Sequence, residues 1–222
     1  MRVELPRRLP RPAAFLLMFA FGLSSCSPDK SWAQLQAPAQ SRATLVIFTE
    51  RPMRENQWAD LLEALQRATS RESAHLPALG DAPDLVRGDR IVHGMQVERP
   101  ITVYLRGDCR LIPMPEYEPA GVLGWVYRVH GKIAPLIHVN CGGIAQELGP
   151  VALGLDRKRC DVVMSEALAR VIVHEWVHVA TQNAGHAREG VTKSSFGIAD
   201  LLAADDAIWR DPRLALRKRP EL

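Results

Sequence analysis

Hydrophobic and polar positions along the chain fall into blocks whose period changes from two to about three and a half. Thr44–Thr49 (TLVIFT) is a short apolar run rich in β-formers, which predicts a buried strand. Asn56–Ser70 places Trp58, Leu61, Leu62 and Leu65 at helical steps with polar residues between them, which predicts an amphipathic helix. Arg71–Arg90 carries Pro77, Gly80, Pro83 and Gly88 and reads as an irregular loop. Ile91–Val97 and Ile101–Arg106 read as strands split by Pro100. Gly121–Val129 and Ile133–Val139 are two more, and His130-Gly131 between them suits a tight hairpin turn. Cys141-Gly142-Gly143 reads as a loop. Ser165–Gln182 returns to helical period, with Leu168, Val171, Ile172, Glu175 and Val179 at steps of three and four. A last helix is expected near Ser195–Ala204. The fold class expected from this order is α+β.

Glu175 is the odd member of the long helix's apolar stripe. Burying a lone carboxylate costs several kcal/mol, on the order of 2 or more. A nearby divalent cation offsets that cost, and the sequence around Glu175 supplies a means to hold one. His174-Glu175-Trp176-Val177-His178 spells H-E-x-x-H. Residues four apart share one helix face, so two imidazoles can grip one ion from a single helix. Glu175 then stands beside the ion as a general base for bound water, not as a ligand. Asp161 or Ser165 suits the helix N-cap. Asn183-Ala184-Gly185 is a stop signal, with Gly185 fitted to the left-handed position. A catalytic zinc site needs three protein ligands and an open position. His186, just past the stop, is the expected third ligand; Glu189 and Asp200 are the alternatives.

The stretch His174–Val191 resembles the metzincin-type pattern of H-E-x-x-H followed by a third histidine, with a longer spacer. It is similar to small bacterial zincin-like proteins that carry a histidine eight residues after H-E-x-x-H and then a glycine–hydrophobic pair, here Gly190-Val191. The resemblance implies a zincin-like α+β fold, a twisted mixed sheet packed on a backing helix and on the H-E-x-x-H helix, with Zn2+ as cofactor. It implies His174, His178 and His186 as ligands and Glu175 as catalytic base. The activity implied is hydrolysis of peptide bonds in a peptide or protein substrate. Two departures bear on activity. Thr192 stands where a Met-turn methionine falls in metzincins, and no tyrosine follows the motif. They motivate one alternative, an inactive zincin-fold binding module; a further alternative is a structural lipoprotein in which H-E-x-x-H is incidental.

The start of the chain has its own pattern. Arg2, Arg7, Arg8 and Arg11 precede an apolar run, Ala13–Leu23, too short to span a bilayer and suited to a signal-peptide core. It ends in Leu23-Ser24-Ser25-Cys26, which resembles the bacterial lipobox, with Cys26 as the lipidation site. Residues 1–25 are therefore expected to be a lipoprotein signal peptide, 26–42 a flexible tether, and 43–222 a metallopeptidase domain. The expected location is the cell envelope, with the exported chain held by its lipid on the periplasmic face of the outer membrane. The whole chain has 28 basic and 25 acidic side chains; losing four arginines and Glu4 with the leader leaves the two signs balanced. Its basic excess is thus no argument for a nucleic-acid partner. Export permits disulfides, and Cys109, Cys141 and Cys160 allow one bond, either Cys141–Cys160 or Cys109–Cys141.

Overall fold

The computed structural model describes residues 42–115, 120–186 and 194–202. Five strands form one mixed sheet: β1 (Thr44–Thr49), β2 (Asp84–Arg87), β3 (Pro100–Arg106), β4 (Gly124–Val129) and β5 (Lys132–Asn140). Their order is β2-β1-β3-β5-β4, all neighbours parallel except the β4–β5 hairpin. The helices are α1 (Glu55–His75), α2 (Cys141–Leu148), α3 (Arg157–Thr181) and α4 (Ile198–Leu202). This is the expected mixture of helix and mixed sheet.

Alternation along the strands decides which face is the core. Leu45 and Ile47, Ile101, Val103 and Leu105, and Ile137 and Val139 are all buried and point to one side. α1 meets that core with Trp58, Leu61, Ala64 and Leu65. α3 lies between α1 and the sheet, and it is buried on nearly every side between Cys160 and Val179. A helix buried all round needs no single apolar stripe. Two of its three acids are matched in place: Asp161 takes the Arg54 guanidinium at 2.5 Å and a contact from Asn56 at 3.2 Å, and Glu166 pairs with Arg67. Both pairs tie α1 to α3.

Several elements differ from expectation. β2 is a parallel edge strand inside the stretch read as a loop; its four residues are too few for a periodic signal, and its place comes from pairing with β1. Ile91–Val97 is not a strand. α2 begins at Cys141, because the Asn140 side chain accepts the Gly143 N–H at 3.0 Å and caps a helix through the two glycines. α3 starts at Arg157, earlier than expected, with Asp156 as its cap accepting the Arg159 N–H at 2.9 Å. Asp161 and Ser165 are buried inside that helix instead. The disulfide is Cys109–Cys141, and Cys160 is a buried free thiol. The His130-Gly131 turn is as expected, with both residues at positive φ. No helix among the described residues is long and apolar enough to cross a membrane. The leader, Cys26 and the tether as far as residue 41 lie outside the described residues.

Candidate metal centre

His174 and His178 face one another across one turn of α3, their Nε2 atoms 3.1 Å apart. Two nitrogens held 2.0–2.1 Å from one tetrahedral ion lie roughly 3.3 Å apart, so the pair is already spaced for a shared ion. The chain then turns after α3 and returns His186 to the same spot. The His186 ring stacks on His174 with centroids 5.3 Å apart and meets His178 edge-on at 4.9 Å. One ligating atom from each of the three lies within 4.8 Å of the others. This group could hold a metal ion. His174 and His178 are buried and His186 is exposed, so the site opens to one side.

The second nitrogens decide how the rings present themselves. His178 Nδ1 lies 2.6 Å from the Asn183 carbonyl oxygen, which can only accept. The proton therefore sits on Nδ1, and Nε2 offers its lone pair toward His174 and His186. Desolvation and the neighbouring His178 hold the His186 pKa below the usual histidine value, which favours its neutral, ligating form. Phe196 closes one side, its ring edge-on to His174 with centroids 5.2 Å apart.

Glu175 is 5 % exposed, and its Oε1 lies 3.9 Å from His174 Nε2. Burial pushes its pKa up to about 7, and no cationic side chain among the described residues contributes an opposing pull. It lies against β4 at Gly124. A Cβ on Gly124 would stand 2.9 Å from Glu175 Oε1 and 2.6 Å from a Val171 methyl. Only glycine lets the carboxylate and the strand approach so closely.

The cleft in front of the histidines has a volume of about 570 Å³. One wall is the stretch leading into and along β4, from Gly121 to Val126. β4, not β5, is the strand beside the cleft, and its outer edge is unpaired among the described residues. Pro135, which lacks an N–H, suits an edge strand, yet β5 is flanked on both sides. Pro135 is tolerated because it falls in an irregularity opposite Val126–Arg128 and before the β3 pairing begins at Leu136.

Of the alternative third ligands, Asp200 is turned away: its Oδ2 accepts the Gly197 N–H at 3.1 Å at the start of α4. Glu189 and Thr192 lie outside the described residues. The helix stop also differs from expectation. The left-handed residue is Gln182, at φ 54°, and not Gly185. Gly185 serves the turn by donating its N–H to Asn183 Oδ1 at 2.8 Å. His138 of β5 sits on the opposite face of the sheet, stacked between Tyr104 and Trp125.

Sequence reasoning missed Gly124, Gln182, Asn183 and Phe196. A glycine inside a strand pattern was the available signal for the first. The other three act through contacts across the fold or through the backbone. No protein-family model, characterised protein or solved structure matches the chain, so the reading of this site rests on its own geometry.

Proposed function

We propose that this chain is a zinc-dependent peptidase of zincin type, carried at the cell envelope by a lipid on Cys26. The observation that carries the reading is the convergence of three imidazoles beside a buried carboxylate that no cationic side chain among the described residues offsets. Three neutral nitrogen donors with an open side suit zinc in a catalytic setting. Zinc, when bound, supplies a Lewis acid that acidifies water and polarises a carbonyl.

The chain's residues divide the remaining work. His174, His178 and His186 hold the ion, and the Asn183 carbonyl orients His178. Glu175 takes the proton from the attacking water on its carboxylate and delivers it to the leaving amine. Its raised pKa suits a group that must both accept and release a proton near neutrality. The edge of β4, unpaired among the described residues, offers backbone N–H and C=O groups to an extended peptide, laying it along the cleft in front of Glu175.

The test is metal analysis and hydrolysis of an unfolded protein substrate by the full-length chain purified in detergent. Wild type is expected to hold one zinc per chain and to lose activity to chelator and regain it with zinc. His174→Ala is expected to lose the metal. Glu175→Ala is expected to keep the metal and lose hydrolysis by at least 100-fold. Equal, negligible zinc in wild type and His174→Ala would end the metal reading. Zinc retained without hydrolysis by wild type would instead favour the binding-module alternative.

A further inference from the structure

α3 ends on a residue that is poorly suited to its own backbone. Gln182 is left-handed, at φ 54° and ψ 25°, where helices usually place glycine. Its side chain explains why a glutamine stands there. Gln182 Oε1 accepts the Ile133 N–H at 2.9 Å, and Nε2 donates to the Ile133 carbonyl at 3.0 Å and to the Val179 carbonyl at 2.8 Å. The carboxamide thus pairs with Ile133 as a neighbouring strand would, and it also satisfies a carbonyl left open in the last turn of α3. Glycine, which is better for the turn, has none of these groups.

The turn so held leads directly into the metal centre. Gln182 in the left-handed region brings the next residue's carbonyl, that of Asn183, to 2.6 Å from His178 Nδ1. The Asn183 side chain then shapes the return toward His186 by accepting the Gly185 N–H at 2.8 Å. At its other end the carboxamide grips Ile133, at the start of β5 and next to the hairpin turn whose partner strand β4 walls the cleft.

We infer that Gln182 is a positioning residue for the metal centre. Its carboxamide holds the left-handed turn that presents the Asn183 carbonyl to His178, and it locks that turn to the β4–β5 hairpin. The inference rests on the reading that His174, His178 and His186 bind zinc. An outer partner of this kind typically changes metal affinity ten- to a hundredfold when removed.

Two substitutions separate positioning from plain helix termination. Gln182→Gly suits the left-handed backbone and removes the carboxamide. Gln182→Met keeps the length of the side chain and removes its hydrogen bonds. Zinc affinity of the full-length chain is measured by competition with a chromophoric chelator. The visible spectrum of the cobalt-substituted protein reports the ligand geometry, and the melting temperature is taken without metal. The expected result is a roughly ten- to hundredfold loss of zinc affinity in both variants. An altered cobalt spectrum is expected with it, while the metal-free melting temperature stays at or near the wild-type value. Wild-type affinity and spectrum in Gln182→Gly overturn the inference and leave the metal reading standing. A matching fall in metal-free melting temperature in both variants makes Gln182 a structural residue, which also overturns it. Absence of zinc binding by wild type removes the metal reading itself.

Discussion

At the scale of single residues, the site depends on side chains that are absent as much as on those present. Gly124 leaves the space into which Glu175 folds against β4. Alanine there forces the carboxylate or the Val171 methyl to move by several tenths of an ångström. The histidines are untouched, so Gly124→Ala is expected to keep its zinc and lose turnover by about tenfold or more, because small displacements of a reacting group are costly. Steady-state kinetics beside metal analysis checks this; wild-type turnover in Gly124→Ala would remove the role assigned to the close approach. The histidines and Glu175 were legible in the sequence because four-residue spacing on a helix is local geometry. Gln182 was not, since its partner Ile133 is 49 residues away and its hydrogen bonds go to backbone, which carries no sequence signal.

At the scale of elements, the sheet has two unlike faces. The side away from the core carries a row of rings in register across four strands: Phe48, Tyr104, His138 and Trp125. Tyr127 meets His138 edge-on. His138 is 8 % exposed, and its Nδ1 is buried with no hydrogen-bond partner among the described residues. Burial, with help from Arg106, pulls its pKa below the ordinary 6.5. The native state therefore holds His138 neutral at a pH where the unfolded chain takes up a proton. The stability tied to it is whole above about 6.5. It is lost as the pH falls from there toward the lowered native value. Urea denaturation at successive pH values is expected to show this fall in wild type and a smaller one in His138→Phe, which keeps the stacking. Equal pH dependence in the two would show that His138 does not contribute. The strands bearing this row were readable from their β-formers, and the His130-Gly131 turn from its residues. β2 and α2 were not: one is a strand only because β1 pairs with it, and the other is a helix only because Asn140 caps it.

At the scale of the molecule, one covalent link and two partly buried ion pairs hold the layers around α3. The Cys109–Cys141 bond joins the exit of β3 to the start of α2, across a sequence separation of 32. A loop of that size is worth roughly 3–4 kcal/mol by chain entropy. Replacing both cysteines with alanine is expected to lower stability to denaturant by about that amount without changing zinc content. Cys160 is expected to react with thiol reagents only after unfolding, since it is buried and burial raises its thiol pKa. An unchanged denaturation midpoint in the double variant would argue against the bond. From the sequence alone, the class of fold, most of the strands, the helix that carries H-E-x-x-H and the identity of its two histidines and its acid could be read. Each of these is set by periodicity or by spacing within a few residues. Tertiary structure decided that Cys109 and not Cys160 pairs with Cys141. It also decided that His186 and not Asp200 joins the pair of histidines, and that β4 and not β5 lines the cleft. The physical reason is the same in each case: those choices depend on which distant segments meet when the core closes, and local periodicity does not encode that meeting.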